Sequence, residues 1–182
     1  MHALVVFESY FGNTKRIAEA IAEGLSNQLA VDISEVTDAP SAVDADVDLL
    51  VVGGPTHAFG LSRPATRADA AQQARGAETA TGIGLREWLD QLPAGRPGAA
   101  AACFDTRVSR PRIPGSAARR ARSRLRKRGF TALDPATTFW VRGTPGPLLD
   151  GELARAREWG ARLAAQLGRG GGPRALPGCR RP

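Results

Sequence analysis

The sequence predicts an α/β fold of three layers, with helices on both faces of a parallel β-sheet. Short apolar runs at residues 3–7 and 48–54 have the length and composition of strands that are buried on both faces. Segments with apolar residues at helical spacing separate the predicted strands. Because parallel strands are joined by right-handed crossovers, this alternation places helices on both sides of the sheet.

The predicted elements follow one another along most of the chain. "ALVVF" (3–7) is the first strand, and apolar residues at helical spacing between Ile17 and Leu25 indicate a helix that begins near Thr14. The run at 98–104 is a weaker strand because it is poor in branched residues. Asp150 is a suitable N-cap for the last helix. The other predicted strands are 30–36, 48–54, 98–104 and 137–143, and the other predicted helices are 64–75, 84–92, 116–128 and 150–167.

Length and composition indicate one folded domain with a tail. A chain of 182 residues is long enough for a single core, which we assign to residues 1–168. Residues 169–182 are rich in Gly, Pro and Arg and lack periodicity, so we expect a disordered tail. The formal net charge is +7, but residues 1–106 sum to −7 and residues 107–182 to +14.

Several classes of protein find little support in the sequence. No apolar run approaches the ~20 residues that span a bilayer, and the first residues form a strand rather than a basic leader. We therefore expect a cytoplasmic protein without membrane insertion. Cys103 lies in an apolar strand, which is typical of a core residue, and His2 and His57 lack further ligands at metal-binding spacing.

Three loops follow strand ends and should meet at one edge of the sheet: 8–14, 54–62 and 105–115. In the first loop Ser9 and Thr14 offer hydroxyl groups, Gly12 lets the backbone turn, and Asn13 tolerates unusual dihedral angles. Amides at the start of the following helix suit a phosphate. The spacing matches neither a Walker loop nor a GxGxxG fingerprint. A plain turn capped by Asn13 or Thr14 is the alternative.

The second loop, "GGPTHAFGLSRP", favours a ligand with a planar ring. Its glycines and Pro55 allow close approach of the backbone, while Thr56, His57 and Phe59 place polar and aromatic groups beside the ligand. A packing role for a lone aromatic residue is the alternative.

Three segments together resemble the flavin-binding loops of flavodoxin-like proteins: "VVFESYFGNTKRIAEAIAEGL", "LLVVGGPTHAFG" and "CFDTR". The resemblance covers about residues 2–167 and implies a five-stranded parallel sheet of order 2-1-3-4-5 that binds FMN. It implies a phosphate cradle formed by Ser9, Tyr10, Phe11, Gly12, Asn13 and Thr14. It places Pro55, Thr56, His57, Ala58, Phe59 and Gly60 beside the isoalloxazine ring, and Phe104, Asp105, Thr106 and Arg107 at the ring and its pyrimidine edge.

The resemblance implies a redox protein that transfers electrons through FMN, either as a carrier for a partner protein or as an oxidoreductase. A quinone reductase that uses NAD(P)H and a small quinone-type acceptor is one alternative. Flavodoxins usually have hydroxyl residues where this chain has Tyr10 and Phe11. The second alternative is therefore a flavin-free binding or regulatory module of the same fold.

The arginines of the second half have two interpretations. Arg107, Arg110 and Arg112 follow the fourth strand, where a cation would stabilise negative charge on a reduced flavin. "RRARSRLRKRG" resembles a nucleic-acid patch, but it lacks aromatic residues for base stacking. Ala118, Ala121 and Leu125 form an apolar stripe, so the arginines are expected on the solvated face of a helix that covers the sheet.

Overall fold

The structure is a computed structural model, which describes residues 1–57, 60–73, 82–111 and 114–170. Its centre is one parallel sheet with the strand order β2-β1-β3-β4-β5, and β6 also pairs with β4. The predicted three-layer α/β fold and its strand order are confirmed. The elements are β1 (His2–Phe7), α1 (Asn13–Ser26), β2 (Ala30–Glu35), β3 (Val47–Pro55), α2 (Pro64–Gln73), α3 (Leu85–Gln91), β4 (Ala100–Val108), α4 (Ala117–Lys127), β5 (Thr131–Ala132), β6 (Thr137–Val141) and α5 (Glu152–Gly170).

The two faces of the sheet carry separate apolar clusters, as expected for strands buried on both sides. On one face, Val5 and Val51 pack with Ile21 of α1 and with Trp159 and Leu163 of α5. Glycines let α1 and α5 approach closely, since a Cβ on Gly24 would collide with the Arg157 carbonyl and one on Gly160 with the Ile21 carbonyl.

The opposite face is covered by α3 and α4. Leu4, Leu50 and Val52 of the sheet pack here with Trp88 of α3 and Leu125 of α4. Ala117, Ala118, Ala121 and Leu125 are the buried positions of α4, which confirms the apolar stripe predicted for this helix. Arg119, Arg120, Arg126 and Lys127 are therefore exposed, whereas the Nε atom of Arg122 is buried.

The fifth strand position is divided, which the sequence did not predict. The two-residue β5 pairs with the start of β4, and β6 pairs with residues 104–108 of β4. Because this pairing holds the chain extended, β4 continues to Val108 instead of ending at 104. Asp105, Thr106 and Arg107 are therefore strand residues, whereas the sequence placed them in a loop.

The start of α1 and both ends of α5 also differ from prediction. The residue before α1 is Gly12, in the left-handed region (φ 77°) and without a side-chain hydrogen bond, so neither Asn13 nor Thr14 caps this helix. Helix α5 begins at Glu152, after Gly151 (φ 82°), rather than near Asp150. It ends at Gly170, three residues beyond the predicted end, and residues 171–182 of the predicted tail lie outside the described residues.

Candidate functional site

A cavity of about 250 Å³ lies at the carboxyl edge of the sheet. All three predicted loop regions contribute to it, so the segments that were predicted to meet at one edge of the sheet do meet there. The lining residues are Ser9, Tyr10, Phe11, Asn13, Thr14, Pro55, Thr56, His57, Thr106, Arg107, Val108, Val141 and Thr144.

The first loop forms one wall, at the start of α1. Gly12 turns the chain into the helix, and the Ser9 hydroxyl accepts a hydrogen bond from the Lys15 amide at 3.3 Å. That bond leaves the hydroxyl proton of Ser9 available to a ligand. Gly12 has no side chain to accept from the other amides of the first turn, so the positive end of α1 keeps donors for an anion beside the amide that is bonded to Ser9.

Two buried polar residues fix this wall. The Thr14 and Thr106 hydroxyls form a hydrogen bond of 2.7 Å, which joins α1 to β4. Asn13 donates from Nδ2 to the Pro145 carbonyl at 3.1 Å, which joins α1 to the segment after β6. Both side chains are thus held by protein partners, and the Thr14 hydroxyl is less available for phosphate than the sequence indicated.

Tyr10 is held within the first loop by contacts with Glu8 and His57. Its phenol donates a short hydrogen bond to Glu8, and its ring meets that of His57 edge-on at a centroid distance of 5.4 Å. Glu8 is 4% exposed and also accepts from the Leu85 amide at 2.9 Å. Burial, together with the charge of Glu8, raises the pKa of Tyr10, so the phenol stays protonated and acts as a donor.

The second loop places His57 on the cavity wall. His57 and Gly60 exchange backbone hydrogen bonds of 2.8 and 2.6 Å, which hold these two residues side by side. The Nε2 atom of His57 is buried and has no hydrogen-bond partner among the described residues. Burial lowers the pKa of His57, with Glu8 opposing and Arg67 reinforcing the shift. The predicted Ala58 and Phe59 lie outside the described residues.

The fourth strand contributes two of its four predicted site residues to the cavity, Thr106 and Arg107. Phe104 does not line it, because its ring is fully buried and packs edge-on against Phe139 and Trp159 at 6.1 and 6.3 Å. A side chain at Gly53 would collide with this ring. Phe104 is therefore a core residue rather than the predicted ring contact.

Asp105 is also buried away from the cavity surface. Its Oδ2 accepts hydrogen bonds from Thr56 Oγ1 at 2.9 Å, Ser116 Oγ at 2.6 Å and the Ala118 amide at 3.1 Å. The Thr56 hydroxyl in turn accepts from the Ala117 amide at 3.0 Å. Asp105 thus joins the end of β3 to the start of α4 and supports the cavity wall without lining the cavity. This corrects the direct contact with the ligand that was predicted for Asp105.

A fourth wall of the cavity follows β6 and was not predicted from the sequence. Val141 and Thr144 line it, together with Val108 of the paired strand. These positions could have been predicted from the sequence, because the end of a fifth parallel strand meets the same sheet edge as the ends of the other three strands. Arg107 lies against this wall, with its guanidinium 5.6 Å from the centre of the Trp140 ring. Arg110 borders a separate cavity, and Arg112 lies outside the described residues.

Other candidate chemistries are not supported. Cys103 is buried, and burial raises the pKa of its thiol to about 12, which suits a core residue and not a nucleophile. Within the described ranges no group of three or more His, Cys, Asp or Glu side chains is placed to hold a metal ion. None of the described helices is long and apolar enough to cross a membrane.

No family model and no curated protein matches the sequence. A flavodoxin from the domain Archaea superposes with a TM-score of 0.63 at 20% identity, covering 92% of this chain and 99% of that chain. The fold is flavodoxin-like. Oxidised flavodoxin 1 from Bacillus cereus is similar, with a TM-score of 0.65, 17% identity and coverage of 91% and 98%.

The flavodoxin-like fold also occurs inside a larger protein. The Flv1 flavodiiron core from Synechocystis has a TM-score of 0.63 and 17% identity, covering 94% of this chain but 37% of that chain. At these identities the comparisons establish the fold of the chain. The topology places the cavity outside the carboxyl ends of β1 and β3, where strand order reverses and ligands bind in open α/β sheets.

Proposed function

We propose that the chain binds FMN in this cavity and transfers electrons through it. The observation that carries the proposal is that the loops after β1 and β3, the carboxyl ends of β4 and β6 and the amino end of α1 converge on one cavity, where the strand order of the sheet reverses. Flavodoxins are structural neighbours along nearly their full length.

The residues present fit the phosphate end of FMN. The start of α1 offers backbone amides and a positive partial charge, and Ser9 adds a hydroxyl donor. Tyr10 and Phe11 supply no further donor to the phosphate, since the Tyr10 phenol is bound to Glu8. The backbone of residues 9–14 therefore carries most of the phosphate contact, and Glu8 and Tyr10 hold the loop in shape.

The residues also fit a planar ring with polar edges. His57 and Arg107 both line the cavity, and the Nε2 atom of His57 has no hydrogen-bond partner among the described residues, so a polar ring edge can supply one. FMN supplies one- and two-electron chemistry when bound, while the protein orients it and limits its contact with water. The volume of about 250 Å³ is small beside ligand cavities of about 300–1,000 Å³, so FMN would be only partly enclosed and accessible to a redox partner.

The visible absorption spectrum tests this proposal. The purified full chain, incubated with FMN and passed through a desalting column, should retain an oxidised flavin spectrum at near one equivalent. Reduction with dithionite and re-oxidation in air should then be reversible. A protein that remains colourless after incubation with excess FMN would support the flavin-free module instead.

A further inference from the structure

A basic surface lies beside the proposed flavin site on the α3–α4 side of the sheet. Helix α4 carries six basic residues and no acidic residue between Ala117 and Lys127. Four of its basic side chains are exposed and make no ion pair within the described ranges: Arg119, Arg120, Arg126 and Lys127.

This surface reaches the loop that borders the cavity. Arg120 packs over Gly60, where an added Cβ would lie 3.3 Å from Arg120 Cγ and 3.9 Å from Nε. Gly60 is hydrogen-bonded to His57, which lines the cavity. The hydrogen-bonded pair of Gly60 and His57 therefore links the exposed residue Arg120 to the proposed redox site.

The positive charge continues from α4 toward α3. Burial lowers the pKa of Arg86, and the positive charges of Arg124 and Arg63 lower it further, while Glu87 and Asp90 oppose the shift. Arg86 therefore lies near the guanidinium groups of both Arg124 and Arg63. Asp90 pairs with Arg124 at 2.8 Å, and Glu87 pairs with Arg67 at 2.9 Å. These two acids neutralise only part of the surface, which keeps a net positive charge.

We propose that this surface, defined by Arg63, Arg86, Arg119, Arg120, Arg126 and Lys127, docks the acidic face of a redox partner protein. The inference rests on the proposed function, because docking here brings the partner to the flavin edge. The four exposed basic residues of α4, which make no ion pair within the described ranges, are relieved by an anionic surface, which also steers association. Nucleic acid fits less well, because the exposed face of α4 carries no aromatic residue for stacking.

Two double variants of equal charge test the surface. Arg119→Gln/Arg120→Gln removes two charges next to the site and retains the aliphatic contact with Gly60. Arg162→Gln/Arg169→Gln removes two exposed charges from α5, which packs on the opposite face of the sheet. The first readout is fluorescence anisotropy of a labelled peptide of 15 glutamates, titrated with the full chain without FMN in 50 mM salt.

We expect the α4 pair of substitutions to weaken peptide binding by about threefold to tenfold and the α5 pair to leave it within about twofold. Equal losses of peptide affinity in the two double variants would show that the peptide responds only to the overall charge of the protein, and this would overturn the proposal. A single-stranded DNA of 15 nucleotides is the comparison probe. Saturable DNA binding at 150 mM salt that the α4 substitutions abolish would assign the surface to nucleic acid and overturn the proposal as well.

The second readout uses the FMN-loaded chain. After reduction, each flavin passes two electrons to two ferricyanide ions, one electron each, and its protons go to water. With ferricyanide, an anion, the rate constant should fall as the salt concentration is raised. With the cation hexaammineruthenium(III) as oxidant, the rate constant should instead rise as the salt concentration is raised. The α4 substitutions should slow ferricyanide by at least about threefold at low salt. If both double variants retain bound flavin and reduce ferricyanide at the same rate, the docking surface is contradicted. If no flavin is bound, the proposed function is contradicted instead.

Discussion

Asp105 Oδ2 accepts a hydrogen bond from Thr56 Oγ1 at 2.9 Å, which joins the ends of β3 and β4 beside the cavity. The same oxygen accepts from Ser116 and from the Ala118 amide, while the other oxygen, Oδ1, has no partner among the described residues. A buried carboxylate at the start of α4 is stabilised by these donors and by the helix dipole. Asp105 therefore couples the geometry of the site to the packing of α4.

We predict that Asp105→Asn destabilises the protein by about 1–3 kcal/mol and weakens FMN binding. In the variant a neutral amide oxygen replaces the charged carboxylate oxygen as acceptor. The amide NH₂ group would find no acceptor at the position that Oδ1 now occupies. Chemical denaturation and FMN titration measure the two effects. Asp150→Asn, at an exposed position, is the control. If Asp105→Asn behaves like this control, Asp105 has no structural role at the site.

The local parts of the fold were predictable from the sequence, and the parts set by pairing at a distance were not. β1, β3 and the loop 8–14 are encoded within single segments, by apolar runs followed by Gly and hydroxyl residues. The end of β4 depends on its partner β6, so Asp105 was placed in a loop and assigned to the ligand. The fourth wall depends on Asn13 reaching Pro145, a contact that spans 132 positions.

His57 and His2 should make the stability of the protein depend on pH in opposite directions. The pKa of His57 is lowered mainly by burial, so the unfolded chain binds the proton more readily than the folded one. Stability contributed by neutral His57 is complete above its unfolded pKa of about 6.5 and declines as pH falls below it. Relative to His57→Gln, the wild type should lose stability between pH 6.5 and pH 5. Urea denaturation of both proteins across this range is the measurement.

His2 provides the matched comparison. Burial tends to lower its pKa, but hydrogen bonds and attraction from Asp46 and Asp32 outweigh burial, and the pKa is raised. Its contribution is therefore complete below about pH 6.5 and lost as pH rises through the raised value. His2→Gln should cost up to about 1 kcal/mol at pH 6 and less at pH 8. A cost that grows with pH would contradict this assignment.

Removal of residues 171–182 should leave folding and FMN binding unchanged. This segment has five Gly or Pro residues among its first eight and few apolar side chains, so it cannot offset the entropy lost on ordering. Removal of residues 160–182 should destabilise the protein strongly, because Leu163 and Ala164 are fully buried. Thermal unfolding of both truncated chains is the test. A clear fall in melting temperature for the shorter deletion would contradict the domain boundary.

Arg107 should tune the potential of bound FMN. A cation beside the ring stabilises the negative charge gained on reduction, by ~3 kcal/mol at ~5 Å and an effective dielectric of about 20. Arg107 is half-exposed, so solvent screening reduces the expected effect to about 1 kcal/mol. Arg107→Gln should therefore lower the midpoint potential in a spectroelectrochemical titration, whereas Arg162→Gln should not. An unchanged potential would show that Arg107 serves only the wall it forms with Trp140.

The central claim, an FMN site with its phosphate at the start of α1, is tested most directly by fluorescence titration with FMN and riboflavin in parallel. Wild type should bind FMN more tightly than riboflavin. In Ser9→Ala/Thr14→Ala, both affinities fall through loss of the bond between Thr14 and Thr106. The preference for FMN should also fall, by about tenfold or more, through loss of a hydroxyl donor to the phosphate. Equal affinity of the wild type for both ligands, or no binding of either, would contradict the claim.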